Sequence, residues 1–304
     1  MKRPMRVFVI SFAAATALAA VAARAQQSSA GLFPSPFLVE HQVIVTDPDG
    51  GSFTSDPVVD HYGGSMIVSV RSDGSRLIVD FARRELTEIR PSSGTYSVIS
   101  FDRMTQLTRD LQRLEGGPVA EPKRGGDGPE IELRVADSGP GATPAIASAD
   151  AVARATAGRP KLAVARRVEV DRVADDGTSE PVVELWFEPD VRFGAPALDA
   201  IENFEVEVLG ATAGAEGLVP LRATAEARRF AGGAVPVVSA RRMANGAGRI
   251  EDVALRVERL DAFPTDLVQV PEGLQRVAHP IEIMVAHAEQ EAELRRLMGG
   301  EVER

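Results

Sequence analysis

The alternation of apolar and polar positions organises this chain around the stretch from Met66 to Leu114. Met66, Val68 and Val70 alternate with Ile67, Ser69 and Arg71; after Asp73-Gly74, Leu77, Val79 and Phe81 alternate with Ile78, Asp80 and Ala82. Asp-Gly between two such runs predicts a β-hairpin closed by a type I′ turn, whose two loop residues both need positive φ. Closing the turn there pairs Val70 with Leu77, Val68 with Val79 and Met66 with Phe81. All six then lie on one face, and a slip of one residue would break that face. Leu86 to Arg90 and Thr95 to Ser100 read as two further strands about the turn Pro91-Ser92-Ser93-Gly94. At Ser100 the period changes. Phe101, Met104, Leu107, Leu111 and Leu114 recur at spacings of three and four, with Ser100 able to cap and Asp102 at the positive end. That is an amphipathic helix, and its simplest place is over the apolar side of the sheet.

Outside this stretch the signals are shorter. Phe37 to Thr46 and Val58 to Tyr62 read as strands before the hairpin, and Gly116-Gly117 ends the helix after it. From Glu115 to Pro129, eight of fifteen residues are Gly or Pro, which marks a linker or long loop. Ile131 to Val135 is a brief strand, and Ile146 to Ala157 reads either as a weak helix or as mobile chain. Leu162 to Val173 and Val182 to Phe187 form a second hairpin about Asp175-Asp176-Gly177, carrying Trp186. Pro196 to Leu209 has helical spacing. Leu218 to Phe230, Ala234 to Met243 and Ile250 to Leu260 read as strands, Phe263 to Gly273 as a loop, a strand and a loop, and Ile281 to Met298 as a polar terminal helix.

The first 25 residues are set apart from the fold. Lys2, Arg3 and Arg6 precede an Ala-rich apolar run from Val7 to Ala23, and Ala23-Arg24-Ala25 has the form of a cleavage site. The expectation is a secretory signal peptide, removed near Ala25 to leave a soluble, periplasmic or secreted protein. No Cys follows it, so neither a lipid-modified N-terminus nor disulfides are expected, and packing must hold the chain. Without Lys2, Arg3, Arg6 and Arg24, 30 basic residues face 44 acidic ones. A charge that negative argues against nucleic acid and against more than transient membrane contact.

Candidate chemistry is sparse. Asp47-Pro48-Asp49-Gly50 suggests a calcium loop, but the sixth and twelfth positions hold Ser52 and Val58 where Gly and Glu are needed. The histidines His41, His61, His279 and His287 form no metal-binding spacing, and neither a nucleophile elbow nor a phosphate loop occurs. No cofactor, no metal and no enzymatic activity are expected. The apolar face of Met66, Val68, Val70, Leu77, Val79 and Phe81 has two readings: a core filled by the Phe101 to Leu114 helix and Trp186, or a groove for an apolar ligand under that helix.

The run "GGSMIVSVRSDGSRLIVDFARRELTEIRPSSGTYSVISFDRMTQL" resembles exported bacterial proteins of the LolA-like superfamily, nearest an uncharacterised exported branch. Ile78-Val79-Asp80, Ile89-Arg90-Pro91 and Tyr96 stand at the recurring strand and turn positions. "VVELWFEPD", "GGAVPVVSARR" and "DLVQVPEGLQRV" are similar to the later strands and the closing segment. The resemblance implies an α+β fold, a strongly curved antiparallel sheet or half-barrel with helices on its concave face. This domain would span residues 26–277, with a flexible insert at 115–160 and a tail helix at 278–304. The leading expectation is a non-enzymatic binding protein holding a lipid acyl chain, or a lipoprotein's, on that face. Its lining would be Met66, Val68, Val70, Leu77, Val79, Phe81, Phe101, Met104, Leu107, Leu111 and Trp186. A structural or protein-interaction module with a self-filled core is the alternative, and a hydrolase without a recognisable motif is third. The architecture requires Val68 and Phe81 on the same side of the sheet.

Overall fold

A computed structural model describes residues 31–114, 132–139, 143–157, 166–174, 176–243, 248–286 and 288. The expected signal peptide, the whole Gly/Pro stretch from 115 to 129 and the end of the tail lie outside them. The strands β1 (Phe33–Thr46), β2 (Ser52–Thr54), β3 (Val58–Gly64), β4 (Met66–Arg71), β5 (Arg76–Asp80), β6 (Glu85–Arg90) and β7 (Thr95–Ser100) lead into helix α1 (Phe101–Leu114). Next come β8 (Glu132–Asp137), α2 (Ala149–Thr156), β9 (Arg167–Val173), β10 (Ser179–Arg192) and α3 (Ala195–Phe204). A π-helical turn (Glu205–Leu209) joins α3 to α4 (Gly210–Phe230), and β11 (Ala234–Arg242), β12 (Arg249–Arg259) and β13 (Gln275–Arg276) follow. The fold is α+β, and the strands form one curved, unclosed, mixed sheet in the order β13-β7-β6-β5-β4-β3-β1-β12-β11-β10-β9-β8, with β2 beside β1. Only the β13–β7 pair is parallel among the described residues.

The 66–81 hairpin forms, but one residue out of the expected register. Val68 faces Ile78 and Ile67 faces Val79, because the loop has three residues, Ser72 to Gly74, rather than two. Arg71 and Ser75 close it through a 3.0 Å bond, Gly74 alone takes positive φ (78°), and the Asp73 carboxylate accepts from the Ser75 amide. This is a type I turn with a glycine bulge, which spares Asp73 the left-handed conformation that a type I′ turn would demand.

The slip corrects the single apolar face. Met66, Val68 and Val70 pack with Ile78 and Ile89 on one side of the sheet, whereas Ile67, Leu77, Val79 and Phe81 lie on the other. Val68 and Phe81 are therefore on opposite sides. Alternation could not fix the register because Leu77, Ile78 and Val79 are all apolar, so either pairing buries an apolar row. The registers of β3, β1, β12 and β11 carry these two faces across the whole sheet.

One face, here the helical face, carries α1, α3 and α4. On it Phe101 and Leu107 are buried against Val79, Leu86 and Ile99, with Met104 and Leu111 partly buried beside them. Ser100 caps α1 by accepting from the Arg103 amide at 3.2 Å. At the opposite end of the sheet, Ala223, Ala227 and Ala231 pack on Val168, Val170, Val183 and Leu185. The strand expected over Leu218 to Phe230 is thus a helix. Its Ala223, Ala225 and Ala227 imitate strand alternation, but alanine is the strongest helix former and its small side chain lets α4 lie close to β9 and β10.

The other face, the far face, is covered by two separate segments. Residues 263–274 cross it with Phe263, Leu267, Val268 and Leu274 against Val68, Ile78 and Ile89, so the strand expected there is instead an irregular strap with a single 3₁₀ turn, Thr265–Val268. Phe263 sits where Gly63 leaves room: a Cβ on that glycine would lie 2.2 Å from its ring. Over the other half lies α2, its Ala151 and Ala155 buried with Trp186, Val238 and Val253. Trp186 accordingly fills the core under α2 and does not meet α1, a second correction.

Candidate ligand cleft

Where α1 begins, the helical face is incompletely covered. A cleft of about 300 Å³ opens between the β5–β6 turn, the first turn of α1 and the end of α3. Its floor is Phe81, Phe101 and Phe204 with Leu32, and its polar margin is Ser65, Arg84, Asn203 and Glu207. The three rings meet edge-on or tilted, with centroids 5.0 Å (Phe101–Phe204), 6.0 Å (Phe81–Phe204) and 6.3 Å (Phe81–Phe101) apart. Through Phe33, 6.2 Å from Phe81, they join a second aromatic group of Phe37, Tyr62 and Phe193. A volume near 300 Å³ is at the lower end of small-molecule sites, and a mostly apolar lining with a few polar groups is their usual make-up.

Two local departures from regular backbone shape this margin. Arg84 has φ 55°, the only non-glycine residue at positive φ among the described residues. A left-handed arginine costs about 1–2 kcal/mol relative to its ordinary conformations. Its carbonyl is fixed by the Phe101 amide at 2.9 Å, which ties the turn to the start of α1. The guanidinium lies 5.5 Å from the Phe101 ring centre, and its Nη2 donates to Asp102 (3.1 Å) and Glu207 (3.4 Å). The second departure is the π-helical turn itself, an arrangement found disproportionately at functional sites. The turn begins directly after Phe204 and contains Glu207, both of which line the cleft. Its first residue, Glu205, accepts two 2.9 Å bonds from Arg228 of α4.

Of the expected lining residues, the cleft brings together Phe81 and Phe101. Leu77, Val79, Met104, Leu107 and Leu111 are in the packed layer between α1 and the sheet. Met66, Val68 and Val70 lie beneath the strap, and Trp186 beneath α2. Phe204 carried only the helical spacing of Pro196 to Leu209, and Leu32, Ser65, Arg84, Asn203 and Glu207 carried no periodic signal, since they come from separate turns and helix ends.

A second cleft, of about 330 Å³, lies at the sheet edge between Glu88, Arg90 and Ser97 and the helical residues 280–286. Ile283 and Met284 at its lip are 49% and 54% exposed.

The polar interior shows what the other charges do. His41 lies between Asp252 (Nδ1 to Oδ1, 2.8 Å) and Asp60 (Nε2 to Oδ2, 3.3 Å). Burial alone would lower its pKa, but the two carboxylates together outweigh that and push it up to about 10. The ring is thus an imidazolium at neutral pH and cannot serve as a base there. Burial raises the neighbouring Tyr62 hydroxyl well above its usual range and lowers His61 and His279. On the far face Glu184 and Glu251 are fully buried, one on each side of Ala240. Glu184 accepts from the amides of Ile146 (2.7 Å) and Ala147 (2.9 Å) and pairs with Arg167; Glu251 accepts from the amide and hydroxyl of Ser148. Among the described residues no group of His, Asp and Glu is placed to hold a metal ion, and no helix is long and apolar enough to cross a membrane.

No family model matches the sequence, and no curated protein matches it. Among solved structures the chain is similar to an "uncharacterized conserved protein" from Thermus thermophilus, at 7% identity and a TM-score of 0.36, covering 84% of this chain and 99% of that one. It is also similar to a "putative outer membrane lipoprotein-sorting protein domain from Vibrio parahaemolyticus", at 8% identity and a TM-score of 0.32, covering 80% of this chain and 94% of that one. Likenesses this loose carry no argument about role.

Proposed function

We propose that this is an exported, non-enzymatic binding protein that takes a short apolar group, such as the end of an acyl chain, into the Phe81–Phe101–Phe204 cleft. The carrying observation is an aromatic-floored space of about 300 Å³ beside a strained arginine and a π-helical turn. In this reading the sheet is a half-barrel, and the face bearing α1, α3 and α4 is its concave side. A groove along Met66, Val68 and Val70 is no part of the proposal, because the strap fills it. The ligand enters at the start of α1 and reaches only the end of the helical face.

Native mass spectrometry of protein purified from its own envelope tests this, together with titration of a fluorescent fatty acid. Co-purifying lipid or saturable probe binding is expected, and Ala200→Trp abolishes it, because Ala200 of α3 also lines the cleft and a large ring there fills it. Probe binding unchanged by Ala200→Trp, or no binding at all, ends the proposal. The half-exposed Ile283 and Met284 beside the second cleft favour one other reading, a protein-interaction module; a partner captured by the wild type and lost with Met284→Glu would support it.

A further inference from the structure

Resting on the reading that the cleft takes an apolar group, we infer that this group is the tail of a single-chain amphiphile with an anionic head, received by Arg84. The guanidinium has unused capacity. Asp102 and Glu207 both take their bonds from Nη2, and among the described residues Nε and Nη1 make no hydrogen bond. Nε and Nη1 lie on different edges of the planar group, and each forms a fork with Nη2, so release of the Glu207 bond from Nη2 opens a two-donor edge to the two oxygens of a carboxylate. The Ser65 hydroxyl and the Asn203 amide line the same margin without a side-chain partner among the described residues, and both can donate.

The two carboxylates already present oppose an anion only weakly. The side chains of Asp102 and Glu207 are 86% and 55% exposed, and exposed ion pairs are weak and screened by salt. Arg84 can therefore exchange Glu207 for a ligand anion at little loss. A cationic head would find the two carboxylates, but the face of Phe101 that would hold it is already covered by the Arg84 guanidinium at 5.5 Å. Backbone geometry points the same way. Arg84 is held at φ 55°, where glycine or asparagine is the ordinary choice, and outliers of this kind gather at functional sites.

Calorimetric titration of the full chain with three ligands sharing one ten-carbon tail separates the possibilities: decanoate, decanol and decyltrimethylammonium. Decanoate should bind tightest, by about two- to fivefold over decanol, the range of a partly exposed charged contact. Within the Arg84→Gln variant decanoate should bind no tighter than decanol, Arg84→Lys should keep part of the preference, and raised salt should narrow it. Equal binding of decanoate and decanol by the wild type, or tighter binding of the ammonium, overturns the anionic head and leaves the apolar cleft standing. Failure of all three ligands overturns the cleft reading and this inference with it.

Discussion

The far face of the sheet is covered twice, by two segments that hold on in opposite ways. The strap of residues 263–274 lies on Val68, Ile78 and Ile89 through four apolar side chains, and a glycine opposite Phe263 lets it come close. Helix α2 has only alanines and one valine to bury, and it is held at its N-terminal end by two fully buried carboxylates that take three consecutive backbone amides. A segment of small residues cannot be retained by hydrophobic area alone. Each buried alanine contributes roughly one methyl group's worth, about 0.8 kcal/mol. The carboxylates supply what area does not, and the positive end of the helix favours them. Weak hydrophobicity in a covering segment is therefore a reason to look for buried charge beneath it.

The contrast can be broken most strongly at Glu184. Glu184→Ala leaves the Ile146 and Ala147 amides and the buried Arg167 without their shared partner, and losses of about 3–5 kcal/mol accompany such removals. Urea unfolding should show a loss in that range, and hydrogen exchange should accelerate in residues 146–156 while β4 and β5 stay protected. A loss below about 1 kcal/mol would mean that packing, not the clamp, retains α2. At the other covering, Gly63→Ala drives a methyl group into Phe263 and should cost about 1–3 kcal/mol, the usual range for overpacking. Exchange should then rise in residues 263–274 and leave α2 unaffected. If either substitution loosens both segments together, the two coverings are one cooperative unit.

His41 offers a milder probe, because it lies on the helical face and should affect neither covering selectively. Its pKa is raised from 6.5 to about 10, so its contribution to stability is complete below pH 6.5 and declines as pH rises toward 10. Stability followed from about pH 6 to 10 should fall by more in the wild type than in His41→Gln; parallel curves would show that the flanking aspartates do not hold the proton. The smallest effect belongs to Arg84→Gly. Relief of the left-handed backbone and loss of two exposed ion pairs, each worth about 0–1 kcal/mol, act in opposite directions. Thermal unfolding should place the variant within about 1 kcal/mol of the wild type.

Much of the secondary structure was legible in the sequence, and the reason is local. Strands β4 to β7 and α1 follow directly from alternation, turn residues and a capping serine. The register did not follow, because three successive apolar residues in β5 satisfy either pairing and a one-residue change in loop length decides between them. Helix α4 was hidden by alanines at alternate positions, a pattern two secondary structures share. Glu184 and Glu251 did leave a trace: each breaks an apolar alternation at an inward position, in "VVELWF" and "RIEDVAL". A charge at such a place signals a buried partner. The cleft was only partly legible. Phe81, Phe101 and Phe204 each stood at a periodic position, but they converge from segments up to 123 positions apart, a closeness that only the folded sheet creates.

The two ends of the sheet bear on how the protein behaves when crowded. A layer this wide would be a template for further strands if its margins were bare. At one end β13 lies alongside the start of β7; at the other, β8 exposes Glu132, Arg134 and Asp137, so an incoming copy meets charge along the whole margin. Growth into fibres is discouraged at both ends by different devices, and replacing Arg134 with an aliphatic residue would remove one of the three charges that guard the β8 margin.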